Sequence, residues 1–319
     1  DTRMIVLTTL ILPEALQTDL YETYQELTFY YQNGIDTEDE LLRKADILIT
    51  YGEDLTEKHI EKALSLKWIM VISAGLEKMP LKAIAAREIM ITNAKGIHKI
   101  PMAEYTLGMI LQYEKKIKNI MLNKQIQKWD RELEMGELHN KTILIIGAGA
   151  IGGEIARLSK AFGMRTLGVN RSGNAVSYID TLYQLDNLNE ALEQSDYVVS
   201  VLPSTSETKG LFTKKQFQAM KNTSVFINIG RGDLFDEKDL VEALNHGELA
   251  HAILDVFEPE PLNKSHVFWT MENITVTPHV SSRTTEYLPR ALGIFKENLT
   301  NYLEGKIEFK NEVDPLKGY

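Results

Sequence analysis

Cysteine is absent from the 319 residues. That excludes a disulfide framework, thiolate metal sites, iron–sulfur clusters and any Cys nucleophile. Basic charge is in deficit, with 35 Lys and Arg against 45 Asp and Glu, giving a net charge of −10 and a pI near 5.3. General binding to nucleic acid or an anionic membrane needs a basic surface, so neither is an expected partner. Long apolar runs are missing as well. The stretch Thr142–Gly153 breaks off well before the roughly 20 residues that cross a bilayer. The run Met4–Leu12 lacks a basic leader beyond Arg3 and a small-residue cleavage site, so it reads as a first β-strand and not as a signal peptide. The cytoplasm is the expected location.

What is present is ordinary for a globular protein, with 44% hydrophobic and 25% charged residues. Single hydrophobic cores stop growing near roughly 250–300 residues, so two domains are expected. Short β-rich runs alternate with helical patterns almost throughout. In the first third the strands are expected at Met4–Thr8, Thr28–Tyr31, Ile47–Thr50, Trp68–Val71 and Ile89–Thr92, with helices at Pro13–Glu26, Asp36–Lys44 and Thr56–Leu64. One long helix, Pro101–Lys128, precedes a polar, irregular segment. A second series of strands follows at Thr142–Ile146, Arg165–Val169, Tyr197–Val201, Ser224–Ile229, His251–Leu254 and Ile274–Thr277. They are β-branched and nearly continuously apolar, as strands covered on both faces should be. A last helix runs over about Thr284–Glu304. Strands alternating with helices imply βαβ units and parallel sheets, an α/β fold.

Gly147-Ala-Gly149-Ala150-Ile151-Gly152 follows one of these strands directly and opens a helix. In that setting the first glycine permits a tight turn, the second lets the backbone approach a pyrophosphate, and the third allows close helix–strand packing. The helix N-terminus adds unpaired N–H groups for the phosphates. A dinucleotide site is the expectation. An NAD site places Asp or Glu about 20 residues on, to accept from the ribose hydroxyls. Here Asn170-Arg171-Ser172 ends the next strand, with Asn170 standing 23 residues beyond Gly147. Losing the carboxylate removes repulsion against a 2′-phosphate, and Arg171 and Ser172 can donate to one. NADP(H) is therefore preferred, with NAD(H) as the other possibility.

Three polar motifs stand at strand ends in the second series, where open sheets place ligands. In Ile229-Gly230-Arg231-Gly232-Asp233, glycines expose an arginine suited to clamp a carboxylate. In Asp255-Val256-Phe257-Glu258-Pro259-Glu260-Pro261, two prolines stiffen the loop around Glu260. Thr277-Pro278-His279 supplies a general acid/base whose orientation a carboxylate would fix. Each residue alone has an ordinary structural explanation. Their order behind a dinucleotide loop favours chemistry, and no metal site is expected.

With Phe162-Gly163-Met164, Leu202-Pro203, Ser73-Ala74-Gly75, Asn93-Ala94-Lys95-Gly96 and Ala103-Glu104 added, the sequence resembles the D-isomer-specific 2-hydroxyacid dehydrogenase family over nearly its whole length. The resemblance implies two Rossmann/flavodoxin-like, doubly wound parallel-sheet domains, with residues 100–282 forming a coenzyme domain inserted into a substrate-binding domain of 1–99 plus 283–319. It places the substrate clamp on Arg231, the histidine partner on Glu260 and the acid/base on His279. It also implies that the N–H groups of Ala74 and Gly75 hold the substrate carboxylate. Asp255 would contact the nicotinamide amide, with Leu202, Pro203, Ile229 and Gly230 lining the cofactor site. The implied reaction is reduction of a small 2-oxo acid, such as glyoxylate or hydroxypyruvate, to the 2-hydroxy acid. The implied assembly is a homodimer formed by helix Pro101–Lys128 and the loop from Trp129 to about Leu138. Leu76, Met79, His98 and Tyr287 are candidates to shape the pocket. Long phosphoglycerate dehydrogenases with appended effector domains are expected to be poor matches. A nucleotide-sensing, corepressor-like binding protein of the same superfamily is the alternative.

Overall fold

In Thr142–Ile146 every side chain is buried, and successive ones feed different cores. Leu144 and Ile146 pack into one apolar cluster, Ile143 and Ile145 into another. The same division holds in Trp68–Val71, where Trp68 and Met70 face one core and Ile69 and Val71 a second. Side chains alternate across a strand, so an all-apolar strand needs cover on both faces, and helices supply it.

A computed structural model of the chain describes residues 3–73, 75–147 and 149–319. The chain divides into two units, Asp1–Ile97 with Thr284–Tyr319, and His98–Arg283. The strands are β1 (Ile5–Thr8), β2 (Thr28–Tyr31), β3 (Ile47–Thr50), β4 (Trp68–Val71) and β5 (Met90–Asn93) in the first unit. The second unit holds β6 (Thr142–Ile146), β7 (Arg165–Val169), β8 (Thr181–Tyr183), β9 (Tyr197–Ser200), β10 (Val225–Asn228), β11 (His251–Leu254) and β12 (Ile274–Val276), and β13 (Glu312–Val313) belongs to the first. The first sheet runs β13-β5-β4-β3-β1-β2, the second β12-β11-β10-β9-β6-β7-β8. All pairings are parallel except that of β13 with β5. The second order reverses beside β6, whose neighbours are β7 and β9, and such a reversal is where open α/β sheets bind ligands.

The helix Tyr287–Leu303 is built into the first unit. Phe295 stacks on Trp68 at 5.1 Å between ring centroids, and Tyr24 Oη donates to the Lys296 carbonyl at 2.9 Å. The chain's return to its starting unit is therefore secured by core packing.

Three expectations about the elements need correction. The single helix Pro101–Lys128 is two, Lys99–Glu114 and Ile117–Gln125. They separate at Lys116, whose φ of +55° is left-handed. The buried Glu114 carboxylate anchors that end by accepting from Lys141 Nζ and Tyr197 Oη, contacts no periodicity could reveal. The edge strands β8 and β13, of three and two residues, were not anticipated, being too short for an alternating pattern. Leu76 and Met79, taken as possible pocket residues, are buried in a core of the first unit.

Candidate active site

Beyond β6, Gly147 turns the chain with a φ of +99°, a conformation that glycine adopts without a Cβ penalty. Its N–H donates to the Val169 carbonyl at 2.9 Å, tying the turn to the end of β7. A Cβ placed on Gly149 would meet nothing within 4 Å, so a ligand has room to approach that backbone. A Cβ on Gly152 would lie 2.7 Å from the Gly147 carbonyl oxygen, so the helix Ala150–Ala161 can sit this close only with glycine there. The first helical bond runs from Gly153 N to the Gly149 carbonyl at 2.8 Å. The N–H groups of Ala150, Ile151 and Gly152 lie ahead of it without helical acceptors, a setting suited to phosphate. A cleft of about 700 Å³ opens here, lined among others by Gly147, Gly149, Asn170, Arg171, Leu202 and Pro203. The open glycine backbone and this cleft fit a dinucleotide. Among the described residues, no cluster of His, Asp and Glu could hold a metal ion.

The loops after β9, β10 and β11 are drawn together backbone against backbone. A Cβ on Gly230 would fall 2.5 Å from the Leu202 carbonyl oxygen, and one on Gly232 would fall 2.2 Å from the Phe257 carbonyl carbon. Glycine at these positions therefore brings the arginine turn onto the segment that carries Glu260. Asn228 shapes the turn, accepting from Gly230 N at 3.1 Å and donating to the Arg231 carbonyl at 2.9 Å. Ile229 is buried beneath it. The Arg231 side chain is exposed and donates to the Gly230 carbonyl at 2.8 Å.

Glu260 divides its carboxylate. Oε1 accepts from Phe257 N at 3.0 Å, and Oε2 is 2.8 Å from His279 Nδ1. A carboxylate can only accept here, so the imidazole proton sits on Nδ1 and Nε2 is left for exchange. His279 has a φ of +53°, uncommon for a residue with a side chain and often found where position matters more than backbone comfort. Glu260 and His279 are thus brought together. Among the described residues, no hydrogen bond or ion pair joins Arg231 to either.

Comparison with known proteins gives this arrangement a family. The description "D-isomer specific 2-hydroxyacid dehydrogenase, NAD binding domain" matches residues 107–281. A protein of that family from Aeromonas salmonicida has a solved structure with a TM-score of 0.84 and 32% identity, covering 98% of this chain and 99% of that one. The chain belongs to the D-isomer specific 2-hydroxyacid dehydrogenase family. It is an NAD(P)-dependent oxidoreductase with two parallel-sheet α/β units. Glyoxylate/hydroxypyruvate reductase B of Escherichia coli is 30% identical over 316 residues, 96% of this chain and 97% of that protein. A D-3-phosphoglycerate dehydrogenase of Methanocaldococcus jannaschii is 33% identical over 277 residues, 85% of this chain. The chain spans 53% of that relative's length. The likeness to that phosphoglycerate dehydrogenase extends over about half of the longer protein.

Asp255 is fully buried at the end of β11. Its carboxylate accepts from Thr277 Oγ1 at 2.6 Å, Val280 N at 2.9 Å and Ser281 N at 3.0 Å. Its described partners all lie in the segment that carries His279. Tyr105 Oη is 2.6 Å from Thr277 Oγ1. Because Thr277 gives its proton to Asp255, Tyr105 must be the donor, and burial raises its pKa further above the ordinary 10.0. Tyr105 lies in the helix Lys99–Glu114, and no sequence motif marked it for this contact. The nearest signal was Thr277, beside His279 in the same motif.

At the far side of the cleft the turn after β7 bonds to itself. Asn170 donates to the Asn174 carbonyl at 3.1 Å and accepts from Gly173 N at 2.8 Å, and Ser172 Oγ accepts from Asn174 N at 3.1 Å. Leu185, Asp186, Thr205 and Glu207 also line this cleft. Leu185 and Asp186 come from a short 3-10 turn after β8 and Thr205 and Glu207 from the loop after β9, and no motif spacing marked them. In the first unit, Ala74 lies outside the described residues. Gly75 is exposed on the loop after β4, where Ser73 Oγ donates to the Tyr51 carbonyl at 3.1 Å and lies 3.3 Å from the Gly75 carbonyl. Tyr287 Oη donates to the Ile72 carbonyl at 2.5 Å.

Proposed function

We propose that this chain reduces a small 2-oxo acid, of the glyoxylate or hydroxypyruvate kind, to the D-2-hydroxy acid, with NADPH preferred over NADH. The observation that carries it is the His279–Glu260 pair, 2.8 Å apart, on the unit that also holds the glycine-loop cleft. When bound, the nicotinamide supplies the hydride. His279 gives a proton from Nε2 to the substrate's carbonyl oxygen, and Glu260, bound at Nδ1, orients the ring for the transfer. Arg231 binds the carboxylate and meets the charge developing on that oxygen. Its bond to the Gly230 carbonyl exchanges readily because the side chain is exposed. We assign coenzyme binding to residues 98–283 and substrate binding to the other unit, with the Ala74–Gly75 backbone taking the substrate carboxylate. The likeness to glyoxylate/hydroxypyruvate reductase B supports this substrate class. The NADPH preference rests on Asn170 in place of a carboxylate, with Arg171 beside it in the cleft wall.

Steady-state reduction of glyoxylate and hydroxypyruvate with each cofactor, by the wild type and by His279→Ala, tests the proposal. Turnover with at least one acid, lost in the variant, is expected. Near-normal turnover of the variant would sink the acid/base assignment, and kcat/KM for NADH at or above that for NADPH would overturn the cofactor preference.

We further propose a homodimer. Met121, Leu122 and Ile126 on the helix Ile117–Gln125 and its following turn are exposed, as is Trp129 at 90% of its surface. So large a run of apolar surface marks an interaction site, and two-fold pairing of one patch is the commonest solution. Light scattering should give twice the chain mass of 36.2 kDa for the wild type and the single mass for Trp129→Glu. A wild-type monomer would refute the dimer.

A further inference from the structure

Arg171 and Glu207 form an ion pair across the cleft wall, NH2 to Oε2 2.7 Å, with 73% and 60% of their side-chain surfaces exposed. They come from different loops, Arg171 from the turn after β7 and Glu207 from the loop after β9, and both line the cleft. Among the described residues, Glu207 is the one acid within ion-pair distance of Arg171. Asp186 also lines the cleft, without a described ion pair. The Asn170 amide is occupied on both atoms by its own turn. The position that usually supplies an acceptor to the adenosine ribose therefore supplies none, while a carboxylate stands opposite, held by the cation a 2′-phosphate would need.

We infer that Glu207 is a specificity-determining residue for the dinucleotide, competing with a 2′-phosphate for Arg171 and accepting from the 2′-hydroxyl when no phosphate is present. The inference rests on the reading of Asn170–Ser172 as the adenosine-ribose site. Exposed ion pairs are weak and exchange readily, so a doubly charged phosphate can take Arg171 from a single carboxylate. Released, Glu207 would face that phosphate as a like charge, which limits the affinity gained. With an unphosphorylated ribose the pair stays closed, and Glu207 offers the acceptor that Asn170 lacks. One chain then accommodates both cofactors, and the discrimination between them is smaller than Arg171 alone would give.

Isothermal titration calorimetry of the full chain with NADP+, NAD+, 2′,5′-ADP and 5′-AMP tests this without turnover. Glu207→Gln should raise the preference for 2′,5′-ADP over 5′-AMP by about 10-fold, tightening the first and weakening the second. Arg171→Ala should weaken 2′,5′-ADP by about 10-fold or more and change 5′-AMP little. A Glu207→Gln preference within about two-fold of the wild type's overturns the inference, as does a shift found in Asp186→Asn in its place. The change in preference judges Glu207 whichever fragment the wild type favours. A wild type that favours 5′-AMP would instead refute the NADPH preference. Unchanged circular dichroism and melting would establish that each variant is folded, as expected for exposed positions.

Discussion

Two regions of the coenzyme unit are held by opposite means. Around the His279–Glu260 pair, the His279 segment is fixed from below by a buried carboxylate with three donors, Thr277, Val280 and Ser281. The loops around it approach so closely that Gly230 and Gly232 admit no side chain. In the other region, Asn170 bonds within its own turn and Arg171 meets Glu207 in the open. Burial makes a hydrogen-bond network expensive to break and therefore geometrically exact, whereas solvent makes an ion pair inexpensive to exchange. Proton transfer needs the first property, because a small displacement of the acid is costly in rate. Accommodating two related cofactors needs the second.

That contrast is open to graded tests. His279→Ala should lower kcat by about 1,000-fold with thermal stability nearly unchanged, in stopped-flow or steady-state assays. A similar rate loss without direct chemistry is expected from Asp255→Ala, which leaves buried donors unpaired. Chemical denaturation should give a loss of about 3 kcal/mol for it, and full stability would mean that the network does not hold the loop. A half-buried group away from both regions offers a pH control. Burial, aided by Lys118 and Lys116, lowers the His251 pKa from 6.5 to about 4. The unfolded chain therefore takes up this proton first as pH falls. Stability should be full above pH 6.5, decline towards pH 4 by about 3 kcal/mol and then level off. His251→Asn should flatten that part of the pH profile of unfolding. Thr277→Val removes the hydroxyl between Tyr105 and Asp255, and should cost about 1 kcal/mol while lowering kcat more than it raises KM. Smallest of all, Glu207→Ala should change unfolding free energy by less than about 0.5 kcal/mol. A larger loss would show that the exposed region is also structural.

Much of this was legible beforehand, for identifiable reasons. Gly147, Gly149 and Gly152 each answer a backbone requirement that depends only on neighbours along the chain, so their spacing carried the meaning. The apolar strands β6 and β9–β11 were legible because burial on both faces leaves polar residues only at the strand ends. The break at Lys116 was hidden because apolar periodicity continues past it, and the left-handed residue is set by contacts of Glu114 with distant partners. Asp255 was picked out as a motif residue, and the tertiary structure adds the contacts by which it supports the His279 loop.

The sequence by itself determined the α/β class and the glycine loop, and it singled out Arg231, Glu260 and His279 as candidates, because these follow from local pattern and from which side chains can bind an acid or move a proton. Tertiary structure alone decided which atoms meet. It brought Glu260 Oε2 to His279 Nδ1, set Asp255 and Tyr105 beneath the histidine loop, and put Glu207 opposite Arg171. Such pairings join loops from separate strands, and their distances are fixed by sheet order and core packing, which spacing along the chain does not encode.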